Sequence, residues 1–423
     1  MNSINYPTEW EIQSFSHIAD FINGAAFKPT DWKTEGLPII RIQNLNNPET
    51  EFNYFDGKLD ERYYVKNGDI LLSWSASLGV YRWDRGNAIL NQHIFNVKPK
   101  GEINEDFLFY ISHKAIDDLS RKVHGSTMKH FKKRELDEAK VPVPPLVEQR
   151  GIVEVLGTVD ECIRLTDTVI ERAEGLKRGL MQQLLTRGIG HTEYKETEIG
   201  EIPEEWEVIE LYKVAHFQNG RFFQSEDYTN EGIKLLRPGN LHQNGFIEWS
   251  KSNTIYLPIE YASQASDWIV RGNEIVMNLT AQSLEDEFLG RVCLSSDNEY
   301  CLLNQRIARI SSKVIDTGFL FWILKSWIFR RFVDRLPGGT KIKHIYSREI
   351  GRFRLPRPPL KEQIEISKIL FETLNQKAIE EKRLLKLDAL KKGLMQVLLS
   401  GNIRVGLKGD ELHRIGDSRE ANN

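Results

Sequence analysis

The chain has 423 residues, 40% of them hydrophobic, and a formal net charge of −3; that length can bury several cores, and two to four domains are expected. No global positive field marks a polyanionic partner, so any nucleic-acid surface has to be local. Cys162, Cys293 and Cys301 show neither metal-ligand spacing nor a disulfide framework, residues 1–20 lack a basic start before an apolar core, and the longest apolar burst (Phe319 to Leu324) is far short of a membrane span, which together predict a cytoplasmic protein.

In chain order, β-rich runs bounded by Gly, Asn or Pro predict strands over Ile39–Gln43, Asp69–Ser73, Gly79–Arg82 and Ile89–Val97. A helix is expected over about Glu105–Lys122. Pro144-Pro145, with Glu148 in the turn that follows, then opens a second helix, along which Ile152, Leu156, Val159, Ile163, Ile170, Ala173, Leu180 and Leu184 recur at close to heptad spacing. The series then repeats, with strands over Ile233–Arg237, Glu274–Asn278, Gly290–Leu294 and Cys301–Ile310, a helix over Thr317–Leu336, and another Pro-Pro opening at Pro358-Pro359.

The recurrence is an internal repeat. Pro144-Pro145-Leu146-x-Glu148-Gln149 answers Pro358-Pro359-Leu360-x-Glu362-Gln363, and Gly179-Leu180-Met181-Gln182-x-Leu184-Leu185 answers Gly393-Leu394-Met395-Gln396-x-Leu398-Leu399 without a gap between. Earlier anchors match as well: Pro7-x-Glu9-Trp10 with Pro203-x-Glu205-Trp206, Arg41-x-x-Asn44-Leu45 with Arg237-x-x-Asn240-Leu241, Leu90-Asn91-Gln92 with Leu303-Asn304-Gln305, and Phe107-Leu108-Phe109 with Phe319-Leu320-Phe321. Between these anchors the halves diverge, as two copies of one scaffold do when they carry different tasks.

A helix of about 63 Å is too long for one globular domain to bury and needs a partner. Within the long repeated stretch, identities cluster at its two ends, and none falls between Gly157 and Gly175. Antiparallel pairing explains this, because the Pro-Pro-Leu end of each helix then meets the Gly-Leu-Met end of the other. The alternative is that each end only caps its own helix. The fold class expected is α+β, with two mixed α/β domains in pseudo-twofold arrangement separated by two long antiparallel helices. The boundaries are 1–143 and 191–357 for the domains, 144–190 and 358–403 for the helices, and 404–423 for a flexible tail.

These motifs resemble the specificity subunit of type I restriction–modification enzymes, over about Pro7 to Asn402. The resemblance implies that each α/β unit is a target recognition domain reading one half of a split DNA sequence. It implies partners: double-stranded DNA, two methyltransferase subunits docked on the paired helices, and restriction (motor–nuclease) subunits. S-adenosylmethionine and ATP with magnesium are then expected on those partners, with no cofactor on this chain. The candidate subunit interface is Leu146, Glu148, Gln149, Leu180 and Met181 with Leu360, Glu362, Gln363, Leu394 and Met395.

Two clusters suit a phosphate grip, since backbone and hydroxyl donors position a phosphate and cations neutralise it. One is Ser126, Thr127, Lys129, Lys132 and Lys133; the other is Thr340, Lys341 and Lys343. A solvated loop is the plainer reading of either. Removing Lys129 and Lys132 is expected to weaken binding to every sequence and lower its salt slope. Base reading calls for bidentate donors and acceptors in the major groove, and the candidates are Arg41, Gln43, Asn44, Ser73, Trp74, Ser75, Gln92 and His93, then Arg237, Asn240, Asn278, Thr280, Gln282 and Arg306. Residues shared by both halves, such as Asn44 and Asn240, cannot alone distinguish two half-sites and serve equally as scaffold. Discrimination is expected in the unshared segments 46–66 and 73–87 against 242–268 and 279–290.

No phosphate-binding Gly-x-x-x-x-Gly-Lys-Ser/Thr, amino-methyltransferase Asn/Asp-Pro-Pro-Tyr/Phe or metal-ligand pair occurs. Asp118 with Glu138-x-Lys140 is a faint nuclease-like set without a counterpart in the second half. A non-catalytic DNA-reading subunit is therefore expected. A self-contained restriction–methylation enzyme lacks room for its catalytic module; a coiled-coil adaptor whose heads bind protein stays open, and salt-dependent duplex binding discriminates against it.

Overall fold

A computed structural model of the chain describes residues 6–75, 77–122, 133–281, 288–336 and 343–405. It divides into two compact units: residues 1–167 with 382–423, and residues 168–381. Each unit thus holds one α/β domain, part of its own long helix and part of the other.

In the first unit, two four-stranded sheets are built from short, apolar, β-branched runs. One is antiparallel throughout, in the order Ala19–Asn23, Ile94–Pro99, Ile70–Ser73, Gly79–Arg82. The other runs Asn53–Phe55, Leu37–Ile40, Ala88–Leu90, Tyr64–Val65, and its central pair is parallel. The second unit repeats both orders with Ala215–Asn219, Ile307–Ser312, Ile275–Asn278, Val292–Leu294 and with Tyr256–Leu257, Ile233–Leu236, Cys301–Leu303, Ile269–Val270. The expected single strands 89–97 and 301–310 are each two strands in different sheets. Asn91-Gln92-His93 and Asn304-Gln305-Arg306 make the turn between them, because the Asn side chain bonds the backbone two residues on (3.5 Å to His93 N, 3.1 Å to Arg306 N).

The expected helix at Glu105–Lys122 is continuous, whereas its counterpart breaks at Ser326 into Thr317–Lys325 and Trp327–Asp334. A two-stranded ribbon closes each domain, pairing Glu11–Ser14 with Lys140–Val143 and Glu207–Glu210 with Arg354–Arg357. Each ribbon's last strand feeds a long helix, Leu146–Leu184 and Leu360–Leu398.

Inside each unit the two helices run antiparallel. In the first, Ile152 and Leu156 share a core with Leu398 and Leu399, and Lys391 reaches Asp160 at 2.6 Å. In the second, Leu184 and Leu185 pack with Ile366 and Leu370, and Lys377 meets Glu174 at 2.7 Å. Rising numbers on one helix meet falling numbers on the other, so each Pro-Pro-Leu end lies beside a Gly-Leu-Met end. Among the described residues, no helix is long and apolar enough to cross a membrane.

Candidate nucleic-acid interface

The parallel strand pair in each unit ends at one sheet edge, and the chain places polar side chains there. In the first unit Leu37–Ile40 runs on to Arg41, and Ala88–Leu90 runs into Asn91-Gln92-His93, with Asn91 N donating to Ile40 O at 3.1 Å. The segment from Gly24 crosses this turn: Gln92 N donates to Ala25 O at 2.8 Å, and a Cβ on Gly24 would stand 2.3 Å from Asn91 O, so only glycine permits the approach. His93 stacks obliquely near Trp74, 5.6 Å between centroids, and Gln92 Nε2 lies 3.3 Å from His93 Nε2. Arg41 is half-buried with its guanidinium 5.1 Å from the Trp32 ring, and Gln43 is exposed.

The second unit builds the same edge with other side chains. Asn304 N donates to Leu236 O at 3.2 Å, Gln305 N to Arg221 O at 2.9 Å, and a Cβ on Gly220 would stand 2.1 Å from Asn304 O. Leu279 N donates to Arg306 O at 2.9 Å, and Thr280–Ala281 pairs with Lys343–His344. Arg306, Thr280, Lys343 and His344 are thereby gathered around one turn. Tyr346 follows, largely exposed, with its ring 4.6 Å from His344.

Several candidates have their polar atoms engaged inside the fold. Asn44 is fully buried; it accepts from Arg41 N at 3.1 Å and donates to Thr50 O and Glu51 O at 3.1 and 3.2 Å. Asn240 is likewise enclosed, bonded to Arg237 N, Glu248 O and Asn253 O. Asn278 donates to Thr280 O and Phe288 O, and Ser73 to Ser77 O, both without exposure. Ser75 is buried too. In the Asn side chains and Ser73 these bonds satisfy buried polar groups of the turns themselves. Arg237 is half-buried and donates to Asn253 O. Ser126, Thr127, Lys129, Lys132, Gln282, Thr340 and Lys341 lie outside the described residues; Lys133 opens the short helix Lys133–Asp137. Of the nuclease-like set, Asp118 pairs with Lys114 at 2.6 Å and Glu138 with Arg134 at 2.7 Å.

Glu148, Gln149, Glu362 and Gln363 make their hydrogen bonds within the units. Glu148, 1% exposed, accepts from Trp10 Nε1 at 2.8 Å and from Arg404 Nε and Nη2 at 2.5 and 2.8 Å. Glu362 accepts from Trp206 Nε1, Ile189 N and His191 Nε2, each at 2.9 Å. In both units this carboxylate ties the start of one long helix to the segment that follows the end of the other, and to the Trp entering the domain. Gln149 caps Asn104 N at 2.8 Å, and Gln363 caps Asp316 N at 2.8 Å. Leu180, Met181, Leu394 and Met395 are partly buried against the cores. Leu146 is half-buried and Leu360 is 57% exposed. The apolar side chains remain as contact candidates, Leu360 the most open of them.

One edge residue escaped the sequence reading. Arg221 occupies the backbone position of buried Ala25, and its exposed guanidinium lies 5.5 Å from the Trp268 ring and 5.8 Å from Phe223. Aligning Asn23-Gly24-Ala25 with Asn219-Gly220-Arg221 exposes the difference.

Two copies of an α/β domain, each coupled to an antiparallel helix pair and each ending in an unlike polar edge, define a duplicated recognition subunit. The sequence profile of the type I restriction modification DNA specificity domain matches residues 7–174 and again 203–389, and the chain belongs to that family. It is 29% identical over 413 residues to the MjaVIII specificity subunit of Methanocaldococcus jannaschii, covering 96% of this chain and 95% of that one. It is 23% identical over 377 residues to the EcoBI specificity subunit of Escherichia coli, with 84% and 77% covered. The fold is similar to the crystal structure of a type I S subunit from M. genitalium, with TM-score 0.56, 16% identity and 94% and 97% of the two chains covered. A chain from a structure describing complex assembly of the type I R-M system gives 0.57 at 14% identity, covering 94% and 100%.

Proposed function

We propose that this specificity subunit reads a bipartite, asymmetric DNA target, one half-site per unit, and carries no catalysis of its own. The observation that supports this is the edge built twice on one backbone, with different side chains around a shared Asn-Gln turn. The first unit presents Arg41, Gln43, Trp74, Gln92 and His93. The second presents Arg221, Thr280, Gln305, Arg306 and Lys343. Gln, Arg and His at a sheet edge supply the hydrogen-bonding geometry that separates base pairs in the major groove, while the matched frame keeps both edges alike.

Two methyltransferase subunits would dock on the helix pair, with exposed Leu360 as one contact, and restriction subunits would join that core. S-adenosylmethionine and ATP with magnesium belong to those partners. The Glu148 and Glu362 clasps then act inside the chain, holding each helix start where a docked subunit finds one fixed surface.

The experiment is duplex binding by the complex with methyltransferase over a range of salt. A steep fall of log affinity with log salt, plus discrimination of at least a thousandfold against scrambled duplex, is expected. Salt-insensitive binding with no sequence preference would instead favour heads that bind protein.

A further inference from the structure

The amphipathic helix Trp327–Asp334 buries Phe329 and Val333 and leaves its other face open. Along that face Ile199, Trp327, Ile328, Phe332 and Phe353 line a groove of about 520 Å³. Trp327 is 47% exposed, Ile199, Ile328 and Phe332 are half-buried, and Phe353 is buried with its ring 5.2 Å from Phe332. Arg331, Arg335 and Arg352 stand exposed on the same groove. Trp327, Arg331 and Arg335 follow one another at four-residue spacing and so share a face, and the Arg331 guanidinium lies 5.4 Å from the Trp327 ring centroid. None of the three arginines has an ion pair among the described residues. Glu198, the one carboxylate in the lining, is taken by Arg354, which also reaches Glu210 at 3.6 Å. Arg330 turns another way, to Asp334 at 2.6 Å and to Leu289 O at 2.7 Å. Open apolar surface and three unpaired cations thus share one groove.

We propose that this groove takes an acidic segment of the methyltransferase subunit, with carboxylates on the arginines and an aliphatic or aromatic side chain against Trp327. The inference rests on the docking reading above and adds a contact surface outside the helix pair. Charge complementarity selects an acidic occupant. The apolar lining selects protein, because a duplex backbone on the arginines would leave Ile328 and Phe332 facing water. Trp beside Arg is also the pairing that carries most binding energy at protein interfaces. Position selects the subunit: Leu360 follows Arg354 by six residues of chain, a span of at most about 20 Å, so a subunit seated on exposed Leu360 reaches the groove. The surface occurs once. Counting from the shared Phe-Leu-Phe, Ala115 and Leu119 stand where Trp327 and Arg331 stand; counting from the shared Pro-Pro, Glu138 stands where Arg352 does. Ala115 is buried and Glu138 pairs with Arg134, so the first unit offers no counterpart.

The full chain is mixed with the methyltransferase subunit of the same system, without DNA, and hydrogen exchange is followed at 327–335. Binding should slow exchange there by about tenfold or more. Arg331→Gln with Arg352→Gln should weaken methyltransferase binding by about tenfold, since two arginines at a desolvated contact are lost. Arg331→Lys with Arg352→Lys keeps the charge and should recover part of that loss. Exchange in the wild-type complex is a readout independent of any variant's folding. A complex that forms with residues 327–335 unprotected, and with the double Gln variant unaltered, overturns the groove and leaves docking on the helices standing. Failure of the wild-type chain to bind the methyltransferase at all sinks the docking reading and this occupant together. Protection that appears only when duplex is added, or that grows with chain concentration alone, assigns the groove to nucleic acid or to a second copy and overturns the proposal.

Discussion

Arg404→Met should loosen the first helix start far more than an exposed ion pair would. Glu148 is buried, and Arg404, with its side chain 9% exposed, supplies two of its three hydrogen bonds. Removing the guanidinium strands a buried carboxylate on Trp10 alone, a change that costs about 3–5 kcal/mol. The second partner of Arg404, Glu9, is half-exposed and adds little. Taking about 3 kcal/mol as a lower figure, local opening of the helix start becomes about a hundredfold more frequent. Hydrogen exchange of the amides at 148–156 reads this directly. Pairing the change with Glu148→Gln removes the stranded charge while keeping an acceptor for Trp10, and should return most of the lost protection. Protection within threefold of wild type in the single variant, or equal loss in single and double variants, would refute the clasp.

Glu174 carries a pH dependence: burial opposes its ionisation, but hydrogen bonds from Lys177 and Lys377 win and depress it to about 2. A depressed carboxylate stabilises above its unfolded value of 4.5 and loses that stabilisation as pH falls towards 2. With a third of the side chain exposed, about 1 kcal/mol is expected after screening, and Glu174→Gln should flatten exchange against pH in that window. Asn240→Ala removes three bonds inside a turn and should cost about 2 kcal/mol, with the modified DNA motif unchanged; an altered letter would return Asn240 to the reading set. Inserting residues near Thr166 or Ile379 should change the gap between half-sites and leave their letters alone, as scored by sequencing the methylated motif. Arg221→Ala should alter or relax one half-site only; uniform weakening on all duplexes would assign it to phosphate.

The duplication, the antiparallel helices and the α/β units were legible because identities at two ends of an apolar repeat encode a long-range pairing. What the clasp connects was not. Trp10 with Glu148, and Trp206 with Glu362, are duplicated in the sequence, yet repetition does not say which duplicated residues touch. The burial of Asn44 and Asn240 was not legible either: a side chain that closes a turn and one that reads a base have the same letter. The strands 89–97 and 301–310 split because a locally bonded Asn turn overrides an apolar run. The break at Ser326 had no strong sequence signal, since Ser in a helical pattern is only mildly unfavourable.

Co-expression with the methyltransferase of the same system, followed by genome-wide mapping of modified adenines, tests the central claim most directly. A split motif with two different half-sites around a fixed unread gap is the expected result. One continuous motif, or two identical half-sites, would contradict it.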